Sequence, residues 1–276
     1  MTHVLDFHIH IRTPAHRETR DFAFIRSVNS DLEGRLPAFA AREGVEAALA
    51  AEGVDQAVVI PELLPFSGLR ISAEWIANYC RGSERLFPFA HFNPLEERDP
   101  VEALRRQVEG LGCRGLKLLP SYQHFYLTDR RLYPVYEAVQ ALGIPCMFHC
   151  GSSVFDRTVI RFCDPLQIDE LCRDFPNLVV VAAHGGRGFW YSEVAFLTRL
   201  HRNLYFDVAG LPPQKLLEYF PELPRLADRI LFGTDWPVVP GGRIRPHIEA
   251  IRALPIPPAA VEAVLGGTAR RLLRLA

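Results

Sequence analysis

Five residues in this sequence have the types and settings needed to hold a divalent cation and do chemistry beside it. They are His8, His10, His149, His184 and Asp235. His8 and His10 flank Ile9 in the apolar run Val4-Leu5-Asp6-Phe7-His8-Ile9-His10. Side chains two apart on a strand face the same way, so both imidazoles are expected to point to one side. Leu5, Phe7, Ile9 and Ile11 are then expected to face the other way. Two neutral imidazoles converging on one point make half a site for zinc or a similar borderline ion. Alone, a His-x-His pair is more often a locally satisfied polar pair. Three further runs change that balance. Met147-Phe148-His149, Ala183-His184-Gly185-Gly186 and Gly233-Thr234-Asp235-Trp236-Pro237 each carry a polar residue at the end of an apolar stretch.

Something must bring these ends together. Eight strand-like runs are visible, at 4–10, 54–61, 86–92, 113–119, 144–150, 178–184, 203–209 and 229–235. Most are rich in Val, Ile, Leu and Phe without strict alternation, as parallel strands covered on both faces are. Helical patterns lie between them, at 38–52, 99–111, 130–142, 165–175, 190–201 and 213–227, with an amphipathic tail at 258–274. Asp99-Pro100 and Asp164-Pro165 read as helix starts, and Gly143 as a left-handed helix end. Eight β–α units predict a closed (β/α)8 TIM barrel, an α/β fold in one domain spanning 1–276. An open doubly wound sheet would show a glycine-rich loop after its first strand, and HIHIRTP has no glycine. A barrel collects the C-terminal ends of its strands at one mouth, which is where all five polar residues fall.

Composition narrows the partners. Lys and Arg number 31 against 32 Asp and Glu, a formal net charge of −1. With no basic stripe or acidic tail, neither nucleic acid nor a membrane surface is expected as a partner. The six cysteines form no CxxC pair, so reduced thiols in a cytoplasmic protein are expected. No signal peptide and no membrane-length apolar run is read. The outward strand faces and the tail helix would allow a homodimer. Residues 11–37 carry Arg12, Arg17, Arg20 and Arg26 with little periodicity. A loop this long after strand 1 is expected either to cover the site and offer a cation, or to be a plain solvated loop.

The motifs DFHIHI (6–11), GLKLLP (115–120), FHCG (148–151), AHGG (183–186), LFGTDWP (231–237) and LGGTARRLL (265–273) span nearly the whole chain. Together they resemble the amidohydrolase superfamily, in its amidohydrolase-2 branch. The resemblance implies that His8, His10, His149 and Asp235 are metal ligands, that His184 is the catalytic histidine of strand 6, and that Asp235 doubles as the general base. It also implies one divalent ion, zinc first, with manganese or iron as alternatives. Lys117 stands within GLKLLP, where some relatives carry a carboxylated lysine bridging two ions. It is expected to do that, with a second ion, or to hold a substrate carboxylate. His91, Asn93, Tyr122, Gln123, His124, Arg157, Arg161 and Arg187 are weaker candidates for the pocket wall. Asp207 and Asp6 are candidates to accept a hydrogen bond from a ligating imidazole. Cys150 should face the helices.

The implied activity is hydrolysis of a small carbonyl substrate (an amide, lactone or related compound, carboxylate-bearing) by metal-activated water. His184 is expected to donate to the substrate oxygen. The alternative is non-oxidative decarboxylation of the aminocarboxymuconate semialdehyde decarboxylase type. A non-enzymatic binding barrel is a third reading, and the complete ligand set argues against it.

Overall fold

The computed structural model of the chain describes residues 3–275 apart from 154 and 156. Each of the eight expected runs contributes a strand. They are β1 (Leu5–Ile9), β2 (Gln56–Val59), β3 (Leu86–Pro88, resumed after Phe89 as Ala90–His91), β4 (Leu116–Leu118), β5 (Cys146–Gly151), β6 (Val180–Arg187), β7 (Leu204–Asp207) and β8 (Ile230–Leu231). All pair in parallel and in chain order. Strand β8 then closes on β1. Phe7 N–H donates to Phe232 O at 2.8 Å, Asp235 N–H to His8 O at 2.8 Å, and His10 N–H to Trp236 O at 2.7 Å. The result is the single-domain (β/α)8 barrel, which leaves no sheet edge open.

The core divides into two shells. Leu5, Phe7, Val58, Phe87, Phe89, Met147, Val181 and Leu231 meet in one buried cluster. A cluster fed by so many different strands can only be the barrel interior. Ile9, Ala57, Val59, Leu116, Phe148 and Val180 belong to the outer cluster shared with the helices.

Leu5 and Phe7 were expected to face outward and instead face in. The pairing of β1 with β2 shifts register between Asp6 and Ile9. Such a bulge adds a residue to one strand, so Phe7 and His8 both turn to the interior while Ile9 stays outside.

Other departures follow from tertiary contact. Residues 11–37 are not an irregular loop. They carry helices Arg20–Val28 and Leu32–Arg35, anchored by buried Phe22, Ile25, Leu32 and Leu36. Residues 61–72 form a small hairpin of Glu62–Leu64 against Leu69–Ile71. The helix expected over 213–227 breaks into Leu216–Tyr219 and Leu223–Leu226, because Pro221 and Pro224 cannot continue the ladder. Helices Ala73–Cys80 and Arg245–Arg252 add to those expected. Asp99 Oδ1 accepts from Glu102 N–H at 3.0 Å, as its reading as a helix cap requires. No helix among the described residues is long and apolar enough to cross a membrane.

Candidate metal centre

Five strand ends meet at the barrel mouth. His8, His10, Lys117, His149, His184, Arg187 and Asp235 line one small cavity there. The side-chain nitrogens of His8 and His10 and a carboxylate oxygen of Asp235 lie within 4.8 Å of one another. Nε2 of His10 is 3.1 Å and Nε2 of His8 is 3.7 Å from Asp235 Oδ1. The ring of His184 lies 4.9 Å from that of His8 and 4.6 Å from that of His149. His149 faces the same cavity but stands outside the tight triad, and its buried Nε2 has no partner among the described residues.

Three of the four imidazoles are oriented from behind. His8 Nδ1 meets Asp207 Oδ2 at 2.8 Å. His10 Nδ1 meets Ile60 O at 3.1 Å and Glu62 Oε2 at 3.2 Å. His184 Nδ1 meets Ala209 O at 2.9 Å. All four partners are acceptors, so each Nδ1 carries a proton, and in the neutral ring Nε2 presents a lone pair to the cavity. Desolvation is the largest influence on His8, His149 and His184 and pushes their pKa values down. They are therefore neutral, the form a metal binds.

Asp235 stays ionised. Burial would raise its carboxyl, but close contact with His10, with His8 and His184 nearby, outweighs that and holds it well below the ordinary range. A carboxylate oxygen facing an imidazole lone pair at 3.1 Å is repulsive unless a cation sits between them. The donor set therefore fits a divalent ion held by two or more imidazoles and one carboxylate.

The backbone is bent to serve this arrangement. His184 and Asp235 have φ of 66° and 65°, a region non-glycine residues occupy only when their surroundings impose it. Asp207 Oδ1 fixes the first of these turns by accepting N–H groups from His184 at 2.7 Å and Ala209 at 3.0 Å. Gly210, at φ 68°, leaves room for the guanidinium of Arg187; a Cβ there would lie 2.5 Å from Nη1.

Lys117 projects into the cavity with Nζ buried and without a partner among the described residues. Burial lowers its pKa to about 8.

Several weaker candidates are placed elsewhere. Arg12 lines the cavity, but its charge is already spent on Glu62 at 2.6 Å and Asp21 at 3.2 Å. Arg17, Arg20 and Arg26 are exposed. Asp6 reaches no imidazole. It accepts from His8 N–H and Thr234 N–H, both at 3.1 Å, and from Thr234 Oγ1 at 2.6 Å, stitching β1 to the end of β8.

His91 is held by backbone on both nitrogens, Lys117 O at 2.8 Å and Leu63 N at 3.2 Å. Asn93, Gln123, His124 and Arg157 line a separate cavity. That cavity touches the centre only through Tyr122, whose ring lies 4.9 Å from His149. Arg161 lies against Phe162 instead. Cys150 joins the outer core, as its parity requires.

Glu62 and Asp21 were missed. The one signal for Glu62 was its place just past the end of strand 2. Asp21 gave none.

These features are shared with known proteins. The sequence model of the family described as Amidohydrolase matches residues 5–275. A 2-keto-4-carboxy-3-hexenedioate hydratase of Sphingobium sp. (strain NBRC 103272 / SYK-6) is 29% identical over 168 residues, covering 49% of this chain and 47% of that protein. The match thus spans about half the length of that relative. An uncharacterised TIM-barrel protein from Bordetella bronchiseptica superposes with a TM-score of 0.79 at 26% identity, over 98% of both chains. The 5-carboxyvanillate decarboxylase of Sphingomonas paucimobilis superposes with a TM-score of 0.70 at 19% identity, over 100% of both, and shares the fold. By sequence and architecture alike, this chain belongs to the amidohydrolase family, in its amidohydrolase-2 branch.

Proposed function

We infer that the chain is a metal-dependent enzyme that directs water at a small, carboxylate-bearing carbonyl compound, hydrolysing a lactone, amide or related bond. The observation that carries this reading is the opposition of His8 and His10 Nε2 to Asp235 Oδ1 across one cavity. Beside it stand a neutral His184 and a buried Lys117 that has no partner among the described residues.

His8, His10 and Asp235 would hold a single divalent ion, with His149 Nε2 completing the set. Zinc suits these donors first, and manganese and iron are accommodated by the same types. When bound, such an ion supplies Lewis acidity, polarising a carbonyl and lowering the pKa of a water. Asp235 takes the proton of the attacking water and returns it to the leaving group.

The role of His184 differs from the expected one. Its Nδ1–H is committed to Ala209 O, so Nε2 accepts a hydrogen bond and cannot donate one to an oxyanion. It therefore orients the water. The positive charge that a substrate carboxylate and a developing oxyanion need comes from Lys117 and Arg187, both on the cavity wall.

Hydration of a conjugated acid is a second reading, and it is favoured by the hydratase relative. The residues would act alike, with water added to a C=C bond.

The test is elemental analysis followed by turnover on a panel of lactones, amides and conjugated keto acids. One ion per chain and activity abolished by chelation are expected. New carboxyl groups mark hydrolysis, and loss of conjugated absorbance marks hydration. Released CO2 would redirect the reading to decarboxylation, and full activity after complete chelation would overturn the metal-dependent mechanism.

A further inference from the structure

The cavity at the metal centre is small, about 40 Å³. That is room for a few waters or for one reacting group, since a water needs ~10–15 Å³ of such a cavity. The body of any substrate must lie elsewhere.

A cleft of about 430 Å³ opens directly from the centre and shares Arg187, Asp235 and Val238 with it. Its size lies within the range of small-molecule sites, roughly 300–1,000 Å³. Phe24 and Val28 of the helix after β1 form one wall. Leu211 and Pro213, after β7, and Val238 and Val239, after β8, form the rest. The polar cavity beyond Tyr122 is of similar size, but it shares neither Asp235 nor a cation with the centre.

The charges of the cleft decide what it can hold. Arg243 lies on its rim, but Nε is paired with Glu52 at 2.7 Å. His247 also lines it, and burial lowers that pKa, leaving the ring neutral. Arg12, at the centre, is neutralised by Glu62 and Asp21. Arg187 is different. Its guanidinium donates only to Ser152 O, at 2.9 Å and 3.3 Å, and it pairs with no acid among the described residues. It stands where cavity and cleft join. The uncommitted positive charge therefore sits at the inner end, and the outer wall offers none.

We propose that the substrate is an organic acid with its charge at one end. Its carboxylate meets Arg187 at the junction, its reacting group enters the cavity, and an uncharged apolar body (a ring or a medium-length chain) fills the cleft between Phe24, Val28, Leu211 and Val239. This deepens the reading of the centre given above and rests on it for the position of the reacting group. It makes Val28, Leu211 and Val238 determinants of specificity rather than of chemistry.

The test is calorimetric titration of the zinc-loaded protein with acetate, butanoate, hexanoate, octanoate and suberate. Affinity should rise about fourfold per methylene that enters the cleft. Suberate, with a second carboxylate at the far end, should bind more weakly than octanoate. Val28→Trp and Val238→Trp should each flatten the series, with near-UV circular dichroism checking that the fold is intact. Arg187→Gln should weaken every acid by the same factor. Equal binding of acetate and octanoate, or tightest binding of suberate, overturns the proposal. So does a full chain-length dependence retained in both tryptophan variants. Metal uptake is measured separately. A chain that takes up no zinc defeats the reading of the centre, while the acid series on that same chain still tests the cleft.

Discussion

Asp207 Oδ2 accepts the Nδ1 proton of His8 at 2.8 Å, across 199 residues of sequence. The same carboxylate, through Oδ1, holds the backbone of His184 and Ala209. Burial alone would raise its pKa, but His8, His184 and Lys117 bring it down to about 2. One ionised side chain thus sets the tautomer of one histidine and the left-handed turn of another. Asp207→Asn keeps an oxygen for the two N–H groups but can turn an amide toward His8. Metal affinity should fall roughly 10–100-fold with little change in melting temperature, as measured by competition with a chelator. Unchanged affinity would remove Asp207 from the metal centre.

His184→Asn should leave the ion in place and abolish turnover. Asparagine tolerates the left-handed backbone at this position, and its amide can still donate to Ala209 O. Elemental analysis alongside a turnover assay separates the outcomes. Loss of the ion would make His184 a ligand and would favour two ions.

Lys117 offers a prediction about pH. Burial lowers its pKa from the ordinary 10.5 to about 8 in the folded chain. Below about pH 8 the folded state confines a charge that the unfolded state hydrates freely. Between about 8 and 10.5 the folded state binds fewer protons than the unfolded, so stability rises with pH across that window. The rise is read as the difference in urea unfolding between the metal-free protein and its Lys117→Met variant, because the buried cysteines, whose thiols burial pushes up, oppose it equally in both. Zinc content should also stay near one ion per chain whether or not bicarbonate is present. A second, bicarbonate-dependent ion would show Lys117 carboxylated.

Arg12 lies between Asp21 and Glu62, and all three are buried. Arg12→Met leaves two buried carboxylates without their cation and should cost about 3–5 kcal/mol in urea unfolding. Adding Asp21→Asn and Glu62→Gln should recover most of that loss. If the single substitution is harmless, the triad contributes nothing to holding the helix Arg20–Val28 over the barrel mouth.

What the sequence determined by itself was the barrel and the identity of its chemical groups. Eight apolar runs, each long enough for one strand, implied the closure of β8 on β1. The polar residues at the ends of those runs implied a shared mouth. Both inferences work because periodicity and position along a strand are local properties. His8, His10, His149, His184 and Asp235 could therefore be named without coordinates, and Cys150 set aside by parity alone.

Tertiary structure decided how those groups are wired. The bulge between Asp6 and Ile9 arises only when β1 lies against β2, so the inward turn of Phe7 could not be read from alternation. The proton on His184 Nδ1 depends on Ala209 O, which the turn after β7 delivers. Arg12 looked like a free cation until Glu62, from a hairpin after β2, and Asp21 came within ion-pair distance. A pairing is a property of two segments, and its energy depends on the burial and distance that the closed barrel imposes. That is why side-chain identity was legible in the chain, while charge state and hydrogen-bond direction had to wait for the fold.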